Sequence, residues 1–193
     1  MSVQPFPVSE IVASQRPHRK DAARNYDALI AAAREAFAEH GAEASLEDIA
    51  RRAGVGIGTL YRNFPTRRRL FESVYAGEVN DLCRVAREVA GLEPWQALTS
   101  WLRRFVDYTV TKRAIREAMD DESDVFLACR ESMYQAGGPL FEQAQKAGEA
   151  RTDIGFDDLL RMVAGITATN FLDDAQRDRV LAVALDGVRA TAH

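Results

Sequence analysis

Residues 45–64 read SLEDIARRAGVGIGTLYRNF, and in this run two short helices are joined by a tight turn. Ser45 is a good helix N-cap, and Asp48 three positions on makes a shortened capping box, so a first helix is predicted through about Ala53. Its apolar positions, Leu46, Ile49, Ala50 and Ala53, recur at helical spacing. Gly54 stands where a chain leaving a helix needs positive φ. Gly56 then caps a second helix carrying Leu60, Tyr61 and Phe64, and Pro65 ends it. So short a link forces a steep crossing, and the small Ala50 and Ala53 permit close approach; this is helix-turn-helix geometry.

With Leu60 and Phe64 turned inward, the second helix offers Ile57, Gly58, Thr59, Arg62 and Asn63 outward. A methyl, a hydroxyl, a guanidinium and an amide suit base edges and phosphates in a major groove. The alternative is an αα-hairpin whose outer face is merely solvated. Thr66 next caps a helix that begins Arg67, Arg68, Arg69. Cations in a first turn oppose the macrodipole by about 0.3–1 kcal/mol each, so three together point to an anion such as a phosphate, the alternative being a solvated charge run.

Phe37 in a long first helix, the Gly41 after it, the Ser45–Ala53 helix, Gly54 and the run GTLYRNFPTRRRLF (58–71) resemble the DNA-binding domain of the tetracycline-repressor (TetR) family. The resemblance covers about residues 20–80, and its most specific part is Gly58-Thr59-Leu60-Tyr61 with Phe64 and Leu70. It implies DNA contacts from Ser45, Ile57, Thr59, Tyr61 and Arg67, and a ligand bound in the rest of the chain. Two positions depart: Gly56 stands where the family often has Ser or Thr, and Arg67 stands where it usually has Lys, which keeps the charge.

Length and composition agree with an ordinary globular protein of two parts. The 193 residues accommodate a domain of about 70 residues and a larger one, each with its own core. Hydrophobic residues make up 47% and charged residues 28%, Ala is abundant, and no strand-like alternation stands out, so the chain reads as all-α with about nine helices. No apolar run is long enough to span a bilayer, and Met1–Gln15 lacks the charged start and apolar block of a signal peptide; the expected compartment is the cytoplasm. The net charge of -4 is unevenly spread: residues 1–70 carry 11 Lys or Arg against 8 Asp or Glu, and residues 71–193 carry 14 against 21. An acidic body with a basic end steers DNA to that end.

Cys83 and Cys129 have neither zinc nor disulfide-framework spacing, and His18, His40 and His193 are scattered, so no metal, cofactor or nucleophilic site is expected and the chain does not read as an enzyme.

The predicted organisation is a flexible basic arm over 1–19, a helix-turn-helix domain over 20–78 and a helical effector-binding and dimerisation domain over 79–193. Met1 to about Gln15 has two prolines flanking Phe6 and no helical face, so a mobile arm is expected, followed by the basic Arg16, His18, Arg19 and Lys20. The first helix should run from about Asp21 to His40, burying Tyr26, Leu29, Ile30, Ala33 and Phe37. A fourth helix is expected from Thr66 to about Ala90, and another from Pro94 carries Trp101, Phe105 and Tyr108. A short helix over about Thr111–Met119, an acidic turn over Asp120–Asp124 and a break at Gly137-Gly138-Pro139 follow in the prediction. The large side chains Trp101, Phe105, Tyr108, Phe126, Met133 and Tyr134 are candidates to line a pocket for a small apolar or amphipathic effector, with plain core packing as the alternative.

The last two helices are predicted over about 156–170 and 174–190. Leu160, Val163, Thr167 and Phe171 on the first, with Leu181 and Leu185 on the second, suit a four-helix bundle made with a second copy, with a monomeric core as the alternative. The expectation is therefore a homodimeric transcriptional regulator, a repressor released from a palindromic DNA operator by its effector. Its DNA-binding residues would be Ser45, Gly56, Ile57, Thr59, Tyr61, Arg62, Asn63 and Arg67. The rival classes are a helical enzyme and a ligand-binding protein without a DNA role.

Overall fold

A computed structural model describes residues 5–115, 123–169 and 171–190, and among them the only regular elements are helices. The chain divides into two compact units, one formed by residues 1–81 with 111–132 and the other by 82–110 with 133–193. No helix among the described residues is long and apolar enough to cross a membrane.

In the first unit, α1 spans Pro7–Gln15 and α2 spans Lys20–His40; a 3₁₀ turn, Gly41–Glu43, leads to α3 (Leu46–Arg52), α4 (Ile57–Asn63) and α5 (Arg67–Val89). Tyr26, Leu29, Ala33 and Phe37 recur along α2 at helical spacing and are buried, while Ile30 remains half-exposed. They close over Ile49 of α3 and Leu60 of α4, both buried, as are Phe64, Leu70 and Phe71 beyond them. Two ring pairs fix this core: Tyr26 lies 5.1 Å from Phe64, and Phe37 lies 4.4 Å from Phe71.

The N-terminal segment departs from the expected mobile arm. Residues 7–15 form α1, with Pro7 in the first turn, where its missing N–H costs nothing. Val8 is fully buried, and its N–H donates to Ser132 Oγ over 3.0 Å. Ser9 Oγ donates to Asn80 Oδ1 at 2.8 Å, and Ser73 Oγ donates to Gln15 Oε1 at 2.9 Å. These partners lie far along the chain, so local periodicity does not reveal them.

The second unit gathers the later part of α5 and most of α6 (Pro94–Ile115) with the later part of α7 (Asp124–Lys146), α8 (Phe156–Thr167) and α9 (Asp174–Asp186). Residues 111–115 continue α6 and do not begin a separate helix; the remainder of the expected short helix and residues 120–122 of the acidic turn lie outside the described residues. Trp101 is its largest fully buried side chain, with Nε1–H donating to the Leu82 carbonyl at 3.1 Å. Its ring stacks on Phe105 at 5.6 Å and tilts against Phe156 at 5.8 Å.

The break expected at Gly137-Gly138-Pro139 is absent, and α7 runs through Pro139. Proline removes one helical donor, but the buried Ala136, Leu140 and Phe141 around it hold the helix in its packed course. Gly137 serves close approach: a Cβ there would stand 2.5 Å from both Trp101 and Phe156 ring atoms. Gly137→Ala is therefore expected to destabilise the protein by about 1–3 kcal/mol through overpacking, measurable as a lowered urea midpoint. Gly138→Ala, whose Cβ would meet only Phe156 at 3.9 Å, supplies the control.

Helices α8 and α9 end earlier than predicted. Beyond α9, Ala150 and Arg189 pair across a β-bridge, and Arg151 N–H donates to the Val188 carbonyl at 2.9 Å, which draws residues 188–190 out of helical course.

Candidate nucleic-acid interface

The turn between α3 and α4 is set by backbone chemistry. Gly54 takes φ +69°, its N–H donates to Arg51 O at 3.1 Å, and Val55 N–H donates to Ala50 O at 3.0 Å. Those two bonds are a Schellman C-cap, which ends α3 and lets α4 begin within four residues. At the other end of α3, Ser45 Oγ accepts the Asp48 N–H at 3.3 Å, as its capping role predicts.

Leu60 and Phe64 anchor α4 inward, at 1% and 2% exposure, which turns the opposite side to solvent. There Tyr61 is 47% exposed and Ile57 37%, large side chains for a free surface, and Arg62 is exposed beside them. Among the described residues Arg62 forms no ion pair. Thr59 is half-buried, and Asn63 Nδ2 donates back to the Thr59 carbonyl at 2.8 Å, so one donor of that amide is already engaged. Gly56 caps α4 without a side chain, and a Cβ there would meet nothing within 4 Å. Ser45 donates its hydroxyl proton to Glu47 Oε2 at 3.0 Å.

The arginines differ in how they are held. Arg52 bonds to both Glu39 and Asp48, tying α3 to α2, and these bonds hold the Glu39 and Asp48 carboxyls below their ordinary range. Arg68 and Arg69 both reach the buried Glu72, at 3.0 and 3.3 Å, which offsets their poor placement in the first turn of α5. Arg67 turns instead to the backbone, with Nη1 donating to Ala42 O at 2.8 Å and Ala44 O at 2.7 Å. Sequence periodicity holds no signal for that contact, because its acceptors are carbonyls. Arg19 and Lys20 are exposed at the start of α2 and form no ion pair among the described residues.

The pocket candidates fall in both units. Trp101, Phe105, Tyr108 and Met133 are buried in the second unit; Tyr134 sets its hydroxyl on Asp157 and its ring edge-on to Phe156. Phe126 belongs to the first unit, stacked on Tyr75 at 5.5 Å. One cavity in the second unit, ≈ 280 Å³, has an apolar wall of Leu102, Val106, Val163 and Leu181 rimmed by Arg103 and Asp107, and none of the six lines it.

The dimer candidates also divide. Leu160, Val163 and Thr167 are buried within their own unit, Thr167 Oγ1 accepting from Thr109 Oγ1 at 2.9 Å, so the chain's own core consumes them. Phe171, Leu181 and Leu185 are half-exposed, and the most open apolar side chains nearby are Leu172 at 90% and Val183 at 74%. Cys83 and Cys129 are buried thiols, and burial pushes the Cys83 thiol up to about 12.

Comparison with known proteins bears on both units. Residues 29–74 match the family described as bacterial regulatory proteins, tetR family, and residues 93–190 match the SbtR-like transcriptional regulator C-terminal domain. The chain is similar to a TetR transcriptional regulator from Streptomyces coelicolor at 43% identity and TM-score 0.73, covering 86% of this chain and 99% of that one. It is similar to a TetR transcription regulatory protein from Mycobacterium vanbaalenii at 30% identity and TM-score 0.69, covering 90% and 99%. A ketosteroid transcriptional regulator from Mycobacterium tuberculosis, at 19% identity and TM-score 0.61 over 86% and 95%, shares the fold alone.

Proposed function

The chain belongs to the TetR family of DNA-binding transcriptional regulators, and from that premise we propose a homodimeric repressor that leaves a palindromic operator when a small molecule binds it. The observation that carries the DNA half is the outward face of α4, where Ile57, Tyr61 and Arg62 are exposed while Leu60 locks the helix inward. Ile57 and Thr59 meet base edges and thymine methyls, and Arg62 and Asn63 meet bases or backbone. Tyr61 and Ser45 reach phosphates, Ser45 by turning its hydroxyl from Glu47. A second copy joins through the α8–α9 end, using the exposed Leu172, Val180 and Val183 with the half-exposed Leu181 and Leu185. Two α4 helices then enter successive major grooves about 34–36 Å apart. A small apolar or amphipathic effector bound in the second unit favours a different spacing, with a coupling of about 1–3 kcal/mol.

The test is binding to duplexes from the promoter beside the protein's own coding region. Sequence-selective binding is expected, with Ile57→Ala losing about 1–3 kcal/mol on operator and almost nothing on unrelated DNA. Binding indifferent to sequence, unchanged by that substitution, would remove the reading.

A further inference from the structure

Arg67 stands at the first position of α5, behind the recognition helix, where a cation is ordinarily read as a phosphate contact. Its geometry is directed elsewhere. Nη1 donates to two carbonyls, Ala42 O at 2.8 Å and Ala44 O at 2.7 Å, on either side of Glu43 in the loop that enters α3. Ala44 is itself 1% exposed and directly precedes Ser45, the residue that caps α3. One guanidinium nitrogen thus fixes both ends of a three-residue bend that is also closed by the Ala44 N–H to Gly41 O bond, at 3.3 Å. Hydrogen bonds from a charged donor are stronger than neutral ones, and a planar guanidinium holds its direction better than an ammonium.

We infer that Arg67 is a positioning residue for DNA binding, acting by clamping the Gly41–Ser45 bend and thereby the start of α3, and not by neutralising a phosphate. This rests on the DNA-binding reading of α4. Two properties separate the roles. A lost phosphate contact flattens the dependence of log K on log salt by about 0.9 per contact. A lost clamp lowers affinity at every salt concentration and loosens the bend in the free protein.

The experiment compares Arg67→Gln, Arg67→Lys and Arg62→Gln with the wild type. It measures operator binding between low and moderate salt, and amide hydrogen exchange of the free proteins. For Arg67→Gln the expected result is an affinity loss of about tenfold or more with the salt slope of the wild type. Exchange should quicken at Ser45–Asp48 while α2 and the middle of α5 stay protected. Arg67→Lys restores much of both, since an ammonium reaches one carbonyl at a time, and Arg62→Gln shows what a flattened slope looks like. General destabilisation would instead quicken exchange throughout the first unit. A slope flattened by about 0.9 or more for Arg67→Gln, or unchanged exchange at Ser45–Asp48, overturns the inference. If the wild type itself lacks sequence-selective binding, the functional reading fails, and the exchange measurement still decides whether the clamp exists.

Discussion

Phe37→Ala is expected to destabilise the first unit by about 3–5 kcal/mol, the cost of removing a fully buried aromatic ring that its surroundings do not collapse to fill. The ring has no exposure and lies 4.4 Å from Phe71, so the substitution empties the junction between α2 and the start of α5. Those neighbours are themselves held: Phe71 and Leu70 are buried on α5, and Ile49 and Leu60 close the other side from α3 and α4. A domain of this size has about 5–15 kcal/mol in all, so the loss is a large share and the urea midpoint should fall accordingly at unchanged m. Phe37 touches no DNA in the proposed complex. Operator affinity should therefore be close to that of the wild type in the cold, where the variant is folded, and should collapse on modest warming. A variant that is fully folded yet fails to bind at low temperature would contradict this, and would give Phe37 a part in setting the angle of α4. Phe37→Leu, which keeps most of the volume, should cost far less.

What the sequence disclosed follows the range of the interactions involved. The α3–turn–α4 unit is written in nearest neighbours: a Ser45 cap, a Gly54 that accepts positive φ, and apolar positions three and four apart. Its outward residues could accordingly be named in advance, and Ile57 and Arg62 are exposed where the pattern puts them, whereas Tyr61, exposed as well, came only from the family resemblance. Features that depend on distant partners were not legible. The helix at residues 7–15 is held by Ser132, Asn80 and Ser73, and a short stretch between prolines gives no hint of them. Pro139 ordinarily ends a helix, but tertiary packing around Gly137 and Phe141 overrides that local preference. The aromatic residues of α6 are periodic because they form a core, and core and pocket lining share one period; only the ring contacts of Trp101 and Phe105 tell them apart. The same ambiguity placed Leu160 and Val163 at an interface when they are inward.

A charged pair within the first unit was equally invisible to periodicity, and its disruption is expected to have an effect as large as the loss of Phe37. Arg34 on α2 sets Nε against Glu78 Oε1 of α5 and Nη2 3.4 Å from Asp81 Oδ2. Its side chain is 39% exposed, whereas that of Glu78 is 2% exposed. The two partners are thus unequal, and so are the expected consequences of removing each. Arg34→Ala takes from a buried carboxylate the guanidinium set against it, and breaking such a pair costs about 3–5 kcal/mol. Glu78→Gln leaves an arginine that still reaches water and Asp81, so its cost should be clearly smaller. The double variant Arg34→Ala/Glu78→Gln removes the buried charge together with the cation and should recover much of what Arg34→Ala loses, giving a coupling energy well outside the additive error of about 0.5 kcal/mol. Equilibrium urea unfolding of the four proteins at pH 7 measures all three terms. An Arg34→Ala cost of under about 1 kcal/mol would mean that water screens the pair as it does an ordinary surface salt bridge. The predicted order also bears on α5, which belongs to both units: residues 67–81 meet α2 through this pair, so a weakened Arg34–Glu78 contact loosens α5 against the helix that carries Phe37.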